Sequence, residues 1–178
     1  HIQRSRILGN LPPESVRNVA SRLLYRKFER GDTIFQQGDQ ADRMYILAHG
    51  EVSLVHADEP SNRHTILHQH DAFGVMAFLT GARHTSAAIT TRKTAAWVLR
   101  KQDFADLLES DAELRQRVRP YLEDGEVVDY LEHKQHFDID RASRWISKAI
   151  SNMDAGKLIP AAEEMADRLR VIKGAPLA

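Results

Sequence analysis

Phe28-Glu29-Arg30-Gly31-Asp32-Thr33-Ile34-Phe35-Gln36-Gln37-Gly38-Asp39, followed by Met44-Tyr45-Ile46-Leu47-Ala48-His49-Gly50-Glu51-Val52, decides how the rest of the chain is read. Short β-favouring runs alternate here with Gly-Asp and His-Gly corners, where a glycine supplies the positive φ that a tight turn demands. The same rhythm continues through Val52-Ser53-Leu54-Val55, Thr65-Ile66-Leu67, Ala87-Ala88-Ile89-Thr90 and Ala96-Trp97-Val98-Leu99, with turn-forming residues at 58–62. Many short strands between about Lys27 and Arg100, with no helical period among them, predict an antiparallel sandwich or roll.

Helical periods flank this region. Pro12-Pro13-Glu14-Ser15 is a proline-led helix start, and Val16, Val19, Ala20, Leu23 and Leu24 then share one face, so residues 1–26 read as helical. Ile7, Leu8 and Leu11 suggest a preceding turn against the same core. After Arg100, Phe104, Leu107 and Leu108 fit one helix, and Asp111 reads as the N-cap of another carrying Leu114, Val118, Tyr121 and Leu122. Pro120 and Gly125 predict a kink or break, beyond which Val127, Val128 and Leu131 extend the apolar stripe to about His136. Two more amphipathic helices are predicted around Trp145–Ile150 and Leu158–Leu169. The expected fold is mainly β with α: a β-roll or jelly roll with an N-terminal helix and a C-terminal helical extension. The expected division is a roll with its flanking helices over residues 1–122 and a helical linker toward an output region over 123–178.

Composition narrows the function. The 178 residues are 42% hydrophobic and 28% charged, too apolar for a disordered chain. Its 25 Lys+Arg balance 25 Asp+Glu, and the charge shifts along the chain, from 13 basic against 9 acidic through residue 100 to 12 against 16 after it. An acidic helical tail of about 40 residues, with Glu163-Glu164 in its last helix, argues against nucleic acid as a partner. There are no cysteines, hence no disulfides or thiolate metal sites. No run approaches the roughly 18 apolar residues of a membrane span, and no signal-peptide pattern is present, so a cytoplasmic location is expected. The start at His1 and the small apolar end, Gly174-Ala175-Pro176-Leu177-Ala178, read as cuts in a longer protein.

The segment Asp71-Ala72-Phe73-Gly74-Val75-Met76-Ala77-Phe78-Leu79-Thr80-Gly81-Ala82-Arg83-His84-Thr85-Ser86-Ala87 carries the functional signal. A short helix opening at Gly74 would aim unpaired amides at an anion, and Arg83 offers a forked cation. Together with the leading helix, the glycine spacing and Gly50-Glu51-Val52, this segment resembles the cyclic nucleotide-binding domain family over about Ile7–Leu122. That family includes the catabolite activator protein-like β-roll, kinase regulatory subunits and nucleotide-gated channels. Its phosphate cassette reads Phe-Gly-Glu-x-Ala-Leu, then Arg-x-Ala-Ser/Thr. The resemblance implies a non-enzymatic regulatory domain that binds a small phosphorylated ligand, cyclic AMP or cyclic GMP, without a resident cofactor. It implies ligand contacts from Phe73, Gly74, Val75, Met76, Ala77, Arg83, Thr85 and Ser86, with the signal relayed through the C-terminal helices.

Val75 stands where the family has the acidic residue for the ribose 2′-hydroxyl. Loss of such a charge-assisted bond costs about 1.5–3 kcal/mol, or roughly tenfold to a hundredfold in affinity. Thr85 likewise stands where alanine is usual. Three readings of the pocket stay open: a cyclic nucleotide held with a different ribose partner, another phosphorylated anion, or no ligand. In the last, the roll is an interaction or oligomerisation module, its homodimer built through apolar helix faces at Val127, Leu131, Trp145 and Ile150. Some bacterial transporters and channels carry such domains, so fusion to membrane-spanning segments is a further expectation.

The histidines offer a distant alternative. His68-Gln69-His70 would put two rings on one face of a strand, as in metal-dependent cupin enzymes, with His64, His56 and His84 elsewhere on the roll. The glutamate that cupins need does not follow; Asp71-Ala72-Phe73-Gly74 does, and the histidines read as solvent-facing with no metal held. No nucleophile elbow or P-loop is present.

Overall fold

In a computed structural model, which describes residues 10–56, 64–123, 125–157 and 159–162, the chain folds as two four-stranded antiparallel sheets flanked by helices. Helix α1 (Pro13–Arg22) opens with Pro13 in its first turn, where the missing N–H costs nothing, and buries Ser15 and Val19. It stops at Leu23, whose backbone turns extended. Leu24 is therefore the first residue of a strand, not part of a helix running to residue 26 as the spacing predicts: strand β1 (Leu24–Phe28) pairs with the far end of the roll, Leu24 opposite Val98. Pairing outweighs a helical period at its margin.

Strands β2 (Thr33–Phe35), β3 (Arg43–His49), β4 (Val52–Val55), β5 (His64–Leu67), β6 (Ala72–Phe73), β7 (Ala87–Thr90) and β8 (Thr94–Arg100) follow, with helix α2 (Val75–Thr80) between β6 and β7. One sheet runs β1-β8-β3-β6 and the other β2-β7-β4-β5. This is the roll expected. The period of two sorts β3 between two cores: Tyr45 and Leu47 face the inside of the roll with Phe35, Val52, Phe73, Ala88, Ala96 and Val98, while Met44 and Ile46 face the helices.

Helices α3 (Lys101–Ser110), α4 (Ala112–Glu123), α5 (Gly125–Asp129) and α6 (Ile139–Asp154), with a π-helical turn over Tyr130–Lys134, form the second core. Asp111 caps α4 as expected, accepting the Leu114 N–H at 3.1 Å. The α4 helix runs through Pro120 to Glu123, and a separate helix starts at Gly125. Leu114, Val118, Leu122, Val127, Leu131, Trp145 and Met153 join Met44, Ile46 and Leu99 of the roll in one apolar cluster. Of the four residues expected to meet a second copy, Val127, Leu131 and Trp145 are completely buried within this chain and Ile150 is half-buried. The last amphipathic helix falls mostly outside the described residues. No helix among the described residues is long and apolar enough to cross a membrane.

One ion cluster ties α1 to the helical layer. Asp103, 5% exposed, accepts from Arg100 Nε at 2.7 Å and Arg22 at 3.1 Å. The Arg100 bond, against the opposing cost of burial and assisted by Arg22, holds the Asp103 carboxyl below its ordinary range. A carboxyl whose folded pKa is depressed stabilises fully above its unfolded value near pH 4, and that contribution fades as pH falls through the folded value. Asp103→Asn is expected to cost about 1–2 kcal/mol in urea unfolding at pH 7, both arginines being half-exposed, with the difference from wild type shrinking below about pH 4.

Candidate functional site

A cavity of about 630 Å³ opens where the inner face of the roll meets the C-terminal helices. Phe73, Gly74, Val75, Met76 and Ala77 form one side, Thr85 and Ser86 another, and Thr65, Ile66 and Leu67 of β5 a third. Tyr121 of α4, Glu126 of α5 and Tyr130 of the π-helical turn close over it. Gly74 explains the local fold: at φ +71° it is the N-cap of α2. A Cβ there would come within 3.2 Å of His84 Cε1. The first turn of α2, whose amides have no intrahelical acceptors, thus borders the cavity.

Arg83 is not among the described residues that border this cavity. It pairs with Gln40 as an isolated antiparallel bridge, while the adjacent His84 donates its N–H to Asp39 O at 2.9 Å and its carbonyl accepts the Gly38 N–H at 2.8 Å. These bonds fix the direction of two consecutive side chains, one outward and one inward. The exposed Arg83 guanidinium donates to Gly38 O at 2.9 Å, and the buried His84 ring lines the cavity. Among the described residues no lysine or arginine lines it.

His84 is 6% exposed and lies flat against Phe35, ring centroids 3.6 Å apart and planes 7° apart. Burial pushes its pKa below the ordinary histidine value, opposed by the charges of Asp39 and Asp42. Two other histidines border the cavity, His56 and His70. The stretch His68-Gln69-His70, expected on a strand, lies instead beyond the end of β5, and His68 is largely exposed at 3.9 Å from Glu51. His64 contacts Ser53 Oγ at 3.2 Å. These histidines do not converge on a common point; the one group of potential ligands close together among the described residues is Asp129, Glu132 and His133.

The helices touch the cassette directly. Gln135 Nε2 donates to Arg83 O at 3.0 Å and to the Tyr130 hydroxyl at 2.9 Å, and that hydroxyl also reaches Arg83 O at 3.4 Å. Burial pushes the Tyr130 pKa up to about 12, so the hydroxyl keeps its proton as a donor. Sequence reasoning misses Tyr121, Glu126, Tyr130 and His84 as cavity residues. The two tyrosines interrupt an otherwise aliphatic helical stripe, which is the available signal; His84 sits one residue from the arginine that draws attention.

The site is thus a cavity in a two-sheet roll, bounded by a glycine-led helical turn and covered by C-terminal helices. Residues 25–111 match the family described as the cyclic nucleotide-binding domain, and over those residues the chain belongs to that family. It is 43% identical over 63 residues to the global nitrogen regulator of Synechococcus elongatus, covering 34% of this chain and 28% of that protein. It is 23% identical over 153 residues to potassium/sodium hyperpolarization-activated cyclic nucleotide-gated channel 4 of Oryctolagus cuniculus, covering 86% of this chain and 13% of the channel. The chain therefore spans less than a third of either relative. The catabolite activator protein of Thermus thermophilus superposes with a TM-score of 0.59 at 19% identity, over 96% of this chain and 88% of that one, a likeness of fold.

Proposed function

We propose that this chain is a regulatory sensor whose roll binds a small phosphorylated ligand, cyclic AMP or cyclic GMP being the first candidates, and signals through its C-terminal helices. One observation carries the reading: the cassette segment Phe73–Ala77 and the helical residues Tyr121, Glu126 and Tyr130 border the same cavity. A guest there touches both the roll and the helices, and so favours whichever helix arrangement it contacts better. The bonds from Gln135 and Tyr130 to Arg83 O supply a second path between cassette and helices. No chemistry is asked of the site, in keeping with a binding role.

Calorimetric titration with cyclic AMP and cyclic GMP, paired with hydrogen exchange over Tyr121–Gln135, tests this. Binding with added protection in that helical stretch is expected. Absence of heat from both nucleotides would favour the ligand-free interaction module instead.

Val75, in the first turn of α2, leaves the ribose without the family's acidic partner. Val75→Glu is expected to tighten cyclic AMP about tenfold to a hundredfold, and to leave a 2′-deoxy analogue unimproved. Equal gains for both ligands would mean that the carboxylate meets something other than the ribose hydroxyl.

A further inference from the structure

We propose that His84 is the anion-recognising residue of this cavity, so that the domain holds a singly charged phosphate ester with a protonated imidazole and lets it go as pH rises. The inference rests on the ligand-sensing reading above and names both its recognition chemistry and its regulation. Arg83, the one arginine of the cassette, donates to Gly38 O and is not among the described residues bordering the cavity. Neither lysine nor arginine lines the cavity among the described residues. The buried His84 ring does, beside the first turn of α2, where a Cβ on Gly74 would nearly touch it. Its stack on Phe35 fixes the plane of the ring, a preorganisation that suits an anion site.

Charge around the ring sets the sign. Asp39 and Asp42, on the β2–β3 connection, favour its protonation but are outweighed by burial, and Arg43 lies 3.9 Å from Asp42. Across the cavity stand His56 after β4, His70 and Asp71 before β6, Glu126 of α5, and Tyr121 and Tyr130. Asp71 already accepts the His68 N–H at 2.8 Å. Without an anion the ring is thus biased neutral; a phosphate beside it stabilises the imidazolium and raises its pKa. Affinity must then climb as pH falls from the bound-state pKa to the lower free-state one, and level off outside that window.

His70 is a second sign that an imidazole serves this site. Gly31, Gly38 and His70 all have positive φ, +86°, +91° and +79°. Each is followed by an aspartate whose carboxylate accepts a backbone N–H three residues earlier. At the third of these like turns a histidine occupies the strained place that glycine holds in the other two, and it borders the cavity.

Calorimetry with cyclic AMP and cyclic GMP at pH 5.5, 6.5, 7.5 and 8.5, in buffers of differing ionisation heat, reads both affinity and proton uptake. The phosphodiester keeps its single charge throughout, so the ligand itself does not titrate. Wild type is expected to bind about tenfold or more tightly at pH 5.5 than at 7.5, taking up as much as one proton per ligand. His84→Gln should flatten this dependence, and His84→Arg should bind tightly at every pH. Wild-type binding without proton uptake overturns the proposal while the sensor reading stands, and that measurement needs no variant. A dependence that survives in His84→Gln also overturns it, by assigning the proton elsewhere. Absence of binding by both wild type and His84→Arg at all four pH values would remove the sensor reading itself, and the proposal with it.

Discussion

Trp145→Ala is expected to lower the unfolding free energy by about 3–5 kcal/mol, among the largest effects available to a single substitution in this chain. The indole is completely buried, packed in the apolar cluster shared by α4, α5, α6 and the roll, and its Nε1 donates to Pro160 O at 2.8 Å. Removing it opens a large void and leaves a carbonyl without its donor. Trp145→Phe separates the two contributions, since it keeps most of the ring volume and loses the bond. Urea unfolding followed by far-ultraviolet circular dichroism measures both. A loss below about 1 kcal/mol for the alanine variant would mean that α6 unfolds independently of the roll, and would weaken any account in which the helices carry the signal.

Gly50→Ala is expected to cost about 3 kcal/mol or more, by a different mechanism. Gly50 has φ +96°, and a Cβ there would lie 2.6 Å from Thr94 Cα and 2.7 Å from Lys93 O. Both are backbone atoms where the chain turns into β8, and neither can swing aside. Thr94 Oγ1 is also committed, accepting the Glu51 N–H at 3.2 Å and donating to Arg92 O at 2.8 Å. The comparison is Gly31→Ala, at φ +86° with nothing within 4 Å of the new atom, where only backbone strain of about 1–2 kcal/mol applies. At roughly 2–4 °C per kcal/mol for a chain of this size, the two melting temperatures should separate visibly by scanning calorimetry. Equal losses would show that strain, and not the contact with β8, limits this corner.

These two residues also mark how far the sequence can be read. Gly31, Gly38 and Gly50 interrupt runs of β-branched and aromatic residues, so the roll is legible from local chemistry. Trp145 falls on an amphipathic helix in sequence and structure alike, but an apolar face looks the same whether it covers the chain's own roll or a second copy. Leu24 fails differently: its helical spacing is real, and only its pairing with Val98 across the sheet overrides it. The cassette is recognisable from Phe73-Gly74 and its neighbours. Which of Arg83 and His84 turns inward is not legible, because that direction is set by their backbone pairing with Gln40, Asp39 and Gly38, more than forty positions away. Tyr121, Glu126 and Tyr130 reach the cavity only through the path of the chain after α4, which no local pattern specifies.

The hydrogen bonds from Tyr130 and Gln135 to the carbonyl of Arg83 act in both directions. Linkage is reciprocal: if occupancy of the cavity biases the posture of that helical turn, anything that grips the turn must alter occupancy by the same factor. A tethered neighbour pulling on α6 would then set the concentration at which the domain responds, without altering one atom of its pocket.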